Sequence, residues 1–192
     1  MINQKASKTS FSIVLPTFNE FENIKPLINK ILSYSDQLLL EIIVVDDNST
    51  DKTLDFVRGI SAYDNRIRFI HRLDRVGLSS AIKEGLINCK SEFMAVMDSD
   101  GQHEPSTLIK GLNKIKDENL DLVVGSRFLK DSKIKGLSDA RERGSNIANY
   151  LSRISLSRKY KTLTDYMSGC IIFRRTTCME FIYKVDVNGF KF

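Results

Sequence analysis

Two carboxylates one residue apart, Asp98 and Asp100, lie in Asp98-Ser-Asp-Gly-Gln-His103, directly after the apolar run Phe93-Met-Ala-Val-Met97. Such a run reads as a buried strand. Carboxylates at its end stand at the lip of a sheet, where a hard divalent cation could bridge them to a diphosphate. The same residues also spell a turn, because Asp, Ser and Gly are favoured there. Two more apolar runs end in polar residues, at Leu15-Pro-Thr-Phe-Asn-Glu20 and at Val45-Asp-Asp-Asn-Ser-Thr-Asp51. In a parallel sheet all three endings share the carboxyl edge, where open α/β sheets bind ligands. Helix capping by Asn19 or Ser49 would explain part of this set, but neither Pro16 nor the full acidic group.

Short β-rich runs alternate with stretches of helical period, the pattern of an α/β domain with a mostly parallel sheet flanked by helices. The expected strands are Phe11 to Pro16, Leu40 to Asp46, Ile67 to Arg72, Phe93 to Asp98, Leu122 to Gly125 and Cys170 to Arg174. Helical stripes are carried by Ile24, Leu27, Ile28, Ile31 and Leu32, by Leu54 and Val57, and by Leu78, Ala81, Ile82, Gly85 and Leu86. Ser49-Thr-Asp51 and Glu104-Pro105 read as helix starts. Leu129 to Ser138 reads as a loop, and Ile147, Leu151, Ile154 and Leu156 as an amphipathic helix.

The 192 residues, 42% hydrophobic and 28% charged, suit one domain spanning 1–192 with a flexible N-terminus over 1–9. The ending Val185-Asp-Val-Asn-Gly-Phe-Lys-Phe192 carries no helix terminator or strand partner, so the C-terminus reads either as a natural end or as a cut one. No apolar run reaches the roughly 18 residues of a membrane span, and the N-terminus lacks a signal-peptide core, which gives a cytoplasmic expectation. Three cysteines without a CxxC pair argue against a disulfide framework and against zinc. His71 and His103 form no H-E-x-x-H pattern.

The formal net charge of +5 is uneven, since Arg127 to Lys161 holds ten Lys or Arg against Asp131, Asp139 and Glu142. A solvated helix face is the plain explanation; an anionic membrane surface or a phosphate-bearing substrate are the functional ones. Nucleic acid is disfavoured, because within that stretch only Phe128, Tyr150 and Tyr160 offer stacking and no binding motif is present. Arg127 follows a strand, while Arg141 and Ser145 are four apart and would share a helix face, so the three could grip one phosphate. Alternatively, Arg141 pairs with Asp139 or Glu142.

Taken in order, Pro16-Thr-Phe-Asn-Glu20, Val45-Asp-Asp-Asn-Ser-Thr-Asp51, Gly77-Leu-x-x-Ala-x-x-x-Gly85, Asp98-Ser-Asp-Gly-Gln-His103, Gly125-Ser-Arg127 and Asp165-Tyr-Met-Ser-Gly169 resemble the signature of family 2 glycosyltransferases, in the dolichol-phosphate (polyprenol-phosphate) mannosyltransferase branch. Each motif alone is weak, and six in order are strong. Tyr166 stands where the family usually has Pro, Cys170 where it has Phe, and Phe18 where it often has Tyr. The resemblance implies a GT-A, Rossmann-like fold and an inverting, metal-dependent transfer of a hexose to a polyprenyl phosphate, with mannose from GDP-mannose favoured over UDP-glucose. It implies that Pro16, Phe18 and Glu20 line the nucleoside pocket and that Asp46 holds base or ribose. Asp98, Asp100 and Gln102 would ligate Mg²⁺ or Mn²⁺ and the diphosphate, while Arg127, Arg141 and Ser145 would take the acceptor phosphate at the inner face of a membrane. A non-catalytic nucleotide-sugar-binding fragment, or a basic helix that merely docks to membrane, are the rival expectations.

Overall fold

The structure is a computed structural model that describes residues 9–34, 38–74, 77–126, 163–166 and 168–184. Its elements run β1 (Thr9–Thr17), α1 (Phe21–Leu32), β2 (Leu38–Asp46), α2 (Thr53–Ser61), β3 (Ile67–His71), α3 (Leu78–Ile87), β4 (Phe93–Met97), α4 (Ser106–Asp117), β5 (Leu122–Val124), β6 (Cys170–Arg174) and α5 (Arg175–Ile182). Among the described residues the sheet has the order β3-β2-β1-β4-β6-β5. β1 pairs in parallel with β2 and β4, β2 with β3, and β6 runs antiparallel between β4 and β5.

The central strands are mostly apolar because both faces of the sheet are covered there. Phe11, Ile13 and Leu15 of β1 point to one face with Ile42 and Val44 of β2, where Ile24, Leu27 and Ile28 of α1, Val57 of α2 and Leu108, Leu112 and Ile115 of α4 close the core. Val14, Ile43, Val45, Met94 and Val96 point to the other face, against Ala81, Ile82 and Leu86 of α3 and Ile182 of α5. α3 lies unusually tight on the sheet, since a Cβ at Gly85 would come within 2.3 Å of Val14 Cγ1 and 3.0 Å of Val45 Cγ2.

All six expected strands are present, with ends differing by at most two residues, as are the three helices read from their stripes. The expected capping differs. Neither Asn19 nor Ser49 caps a helix; α1 and α2 begin without a side-chain cap at Glu20 and Lys52, although Asp51 Oδ1 accepts the Thr53 N–H at 2.9 Å. The loop expected over 129–138, the helix expected over 147–156 and both chain ends lie outside the described residues.

Cys89, Cys170 and Cys178 are free thiols. Burial pushes Cys89 and Cys170 up to about 12 and Cys178 up to about 11. In the unfolded chain a thiol ionises near 9.0, so the folded state holds this contribution below pH 9 and loses it as pH climbs toward 12. Urea midpoints should fall between pH 8.5 and about 10.5, and fall less steeply in a Cys89→Ala, Cys170→Ala variant. The buried Cys89 and Cys170 thiols should resist Ellman's reagent at pH 8 until urea exposes them, while the half-buried Cys178 reacts first.

Candidate active site

The register of the sheet decides what meets at its carboxyl edge. Thr17 lies opposite Asp46, Asp46 opposite His71, and Val14 opposite Val96, so β1, β2 and β4 end side by side. A cavity of about 220 Å³ opens there. Its β1 side is formed by Pro16, Thr17, Phe18 and Glu20, and its β4 side by Asp98, Ser99 and Asp100; Asp47 and the start of α3 with Gly77, Leu78 and Ala81 close it. Ser99 is buried and donates to the Pro16 carbonyl at 2.9 Å, which ties the two strand ends together.

Of the two adjacent carboxylates after β2, it is Asp47 that lines the cavity. Asp46 is fully buried and accepts hydrogen bonds from Ser49 N (2.9 Å), Ser49 Oγ (2.5 Å) and Thr17 Oγ1 (3.2 Å). Strand alternation explains the division: Ile43 and Val45 face α3, so the next residue of that parity, Asp47, emerges on the α3 side. Asp46 follows Ile42 and Val44 to the opposite face. Asp47 is held by Arg72 Nη1 at 2.9 Å and by the Gly77 N–H at 3.1 Å. Arg72, which leaves the end of β3, is itself buried and also meets Glu84 (3.1 Å), the Gly77 carbonyl (3.2 Å) and Ser80 Oγ (2.8 Å). Gly77 turns the chain into α3 at a φ of 93°, a left-handed value suited to glycine.

Asp98-Ser-Asp-Gly101 forms a turn whose two carboxylates line the cavity. Asp100 Oδ1 accepts the Gln102 N–H at 3.0 Å, Gly101 has a φ of 77°, and Asp98 and Asp100 still face the cavity. Gln102 is half-exposed and does not line the cavity. Behind Asp98 stands Gly169, whose carbonyl accepts the Asp98 N–H at 2.8 Å. A Cβ at Gly169 would fall 1.7 Å from Asp98 Oδ2. The neighbouring Gly125 N–H donates to the Cys170 carbonyl at 2.8 Å, and Thr164 Oγ1 donates to Ser126 Oγ at 2.7 Å. Gly169 and Gly125, the residue after β5, therefore meet beside Asp98, with Thr164 bonded to Ser126 next to them. The charge on Asp98 reinforces burial in raising the Cys170 thiol.

Asp98 and Asp100 offer hard oxygen donors at a solvent-open rim, although no group of three His, Cys, Asp or Glu side chains is placed for a metal among the described residues. Two carboxylates fit Mg²⁺ or Mn²⁺, because such ions keep waters and draw further oxygens from substrate phosphates. Pro16, Phe18, Glu20, Asp98 and Asp100 are thus brought together, while Asp46 and Gln102 are set back from the cavity. Arg127, Arg141 and Ser145 lie outside the described residues. The sequence reading did not place Asp47 at the cavity, which strand parity makes legible, nor Arg72 behind it, for which no local signal exists.

The chain matches Glycosyl transferase family 2 over residues 12–181 and belongs to that family; its fold is GT-A. It is 34% identical to the dolichol-phosphate mannosyltransferase of Pyrococcus furiosus over 182 residues, covering 94% of this chain and 50% of that one. It is 32% identical to the Saccharomyces cerevisiae dolichol-phosphate mannosyltransferase over 121 residues, 62% of this chain and 45% of the other. The chain thus spans about half the length of the curated relatives it matches. Among solved structures it resembles glucosyl-3-phosphoglycerate synthase from Mycobacterium tuberculosis, with a TM-score of 0.66, 24% identity and coverage of 90% and 59%. A mannosyltransferase from Pyrobaculum calidifontis, solved with GDP-Man and Mn²⁺, gives a TM-score of 0.60, 18% identity and coverage of 92% and 47%.

Gly169→Ala should cost about 1–3 kcal/mol in urea unfolding, because the new methyl collides with the Asp98 carboxylate. Adding Asp98→Ala removes the colliding group and should recover most of that loss; simple additivity of the two changes would contradict the contact.

Proposed function

We propose that the chain is an inverting, metal-dependent glycosyltransferase that moves a hexose, mannose from GDP-mannose, to a polyprenyl phosphate. The observation that carries this reading is the cavity at the carboxyl edge, with Asp98 and Asp100 on one side and Asp47 on another, in a member of family 2. The names of the Pyrococcus and Saccharomyces relatives support the acceptor and the sugar. In this reading Phe18 and Glu20 flank the nucleoside, and Asp47, rather than Asp46, accepts hydrogen bonds from base or ribose.

Asp98 and Asp100 would hold Mg²⁺ or Mn²⁺, which neutralises charge gathering on the departing nucleoside diphosphate. Ser99, bonded to the Pro16 carbonyl, keeps these carboxylates at the rim of the nucleoside cavity. A lipid phosphate is anionic at neutral pH, with a second pKa of about 6, so its oxygen can attack the anomeric carbon from the face opposite the leaving group without a general base. Arg127, Arg141 and Ser145 are assigned to that phosphate, beyond the end of β5. Among the described residues no helix is long and apolar enough to cross a membrane, and the reading places the chain peripherally at a cytoplasmic membrane face.

A second reading, a nucleotide-sugar-binding domain without turnover, is supported by the described lining of the cavity, which carries carboxylates and no Lys or Arg for an acceptor phosphate. The discriminating experiment offers radiolabelled GDP-mannose and UDP-glucose in parallel to a short polyprenyl phosphate in detergent with Mn²⁺ or Mg²⁺. The expected result is product from GDP-mannose, abolished by a chelator and reduced roughly a hundredfold or more by Asp98→Ala. Product from UDP-glucose instead would reassign the donor. No product from either, with metal-dependent nucleotide binding intact, would establish the binding domain.

A further inference from the structure

Phe18 and Glu20 both line the cavity, and the residue between them does not. Asn19 has a φ of 56°, in the left-handed region that a residue other than glycine enters at a cost and that Asn tolerates best. Its side chain turns to the β2–α2 connection. Asn19 Oδ1 accepts the Thr50 N–H at 2.8 Å, with longer bonds from Thr50 Oγ1 and Asp51 N at 3.3 Å each. Its own N–H donates to Ser49 Oγ at 2.9 Å, and Ser49 Oγ donates in turn to buried Asp46 at 2.5 Å. The next two residues continue the seam. Glu20 N–H donates to buried Thr53 Oγ1 at 3.0 Å and Phe21 N–H to Asp51 Oδ2 at 3.2 Å.

These bonds join two connections about thirty residues apart in sequence, one carrying Phe18 and Glu20 and the other carrying Asp47. We propose that Asn19 is a positioning residue for the donor cavity, a clamp that fixes the wall bearing Phe18 and Glu20 at a set distance from Asp47. The proposal rests on the reading of this cavity as the nucleotide-sugar site. A ligand seated between two walls binds more tightly when the walls are already ordered, because ordering them on binding is subtracted from affinity. Asn19 touches no reacting atom, so its loss falls on donor binding and leaves the transfer step unchanged.

Two substitutions separate backbone from clamp. Asn19→Gly keeps the left-handed turn and removes the carboxamide; Asn19→Ala removes both. Hydrogen exchange is measured first on the ligand-free protein. Both variants should exchange faster at residues 18–21 and 49–53 while α4 and β4 stay protected. Titration with GDP and with UDP in the presence of Mn²⁺ should then show the bound nucleotide's Kd raised about tenfold for Asn19→Ala and somewhat less for Asn19→Gly. Where transfer is measurable, donor KM should rise in parallel, with kcat at saturating donor within about twofold of the parent. Unchanged exchange in the folded Asn19→Gly variant overturns the clamp. Faster exchange with unchanged nucleotide affinity overturns its role in positioning. A parent protein that binds neither nucleotide, while exchange responds as expected, removes the donor-site reading and the proposal with it.

Discussion

Asp98 keeps its place because Gly169 has no side chain. The two residues belong to segments about seventy positions apart, and the Asp98 carboxylate occupies the space that any Cβ at Gly169 would need. The contact exists because β6 runs antiparallel to β4, so that Cys170 lies opposite Met97 and the residue before β6 meets the residue after β4. The same reversal sets the end of β5 beside them, with Gly125 bonded to Cys170. One strand of opposite sense thus brings three separate motifs to a single point. A wholly parallel sheet would have put the start of β6 at the other edge.

The rest of the edge is held by polar links between neighbouring strand ends. Parallel strands leave their last carbonyls and following turns without a ladder, and here side chains fill the gap: Ser99 to Pro16, Thr17 to Asp46, and Asn19 to Thr50. Asp47 and Arg72 are the costliest members, since burying a charge pair is favourable only when both partners gain further bonds. They gain them from Gly77, Ser80 and Glu84. The pair also presents one carboxylate to the cavity already oriented by Arg72 and the Gly77 N–H.

Most of the sheet was legible because its centre is buried on both faces, so β1, β2 and β4 carry the apolar runs Ile13 to Leu15, Ile42 to Val45 and Phe93 to Met97, closed by Pro or Asp. Helices α1 and α3 were legible from the period of residues such as Ile24, Leu27 and Ile28. The position of β6 between β4 and β5 was not, because order in a sheet is a matter of pairing rather than of local pattern. Within the site, Asp98 and Asp100 stood out by spacing alone. The choice between Asp46 and Asp47 needed the parity of β2 relative to α3, and Arg72 needed the fold, since it acts through contacts with α3 and the β2 end. Asn19 and Ser49 have cap-forming chemistry, and tertiary geometry spends that chemistry on a seam between connections. The basic stretch from Arg127 to Lys161, legible as a phosphate-binding candidate by charge, lies outside the described residues and stays part of the proposed function.

The central claim is that the carboxyl-edge cavity takes a nucleoside diphosphate together with a divalent cation. The most direct measurement is anomalous scattering from Mn²⁺ in crystals grown with GDP. The account predicts a single strong peak within coordination reach of Asp98 and Asp100, with the nucleoside lying between Phe18 and Asp47. A metal peak elsewhere, or a nucleotide bound away from Asp47 with Asp98 and Asp100 still facing solvent, would contradict it.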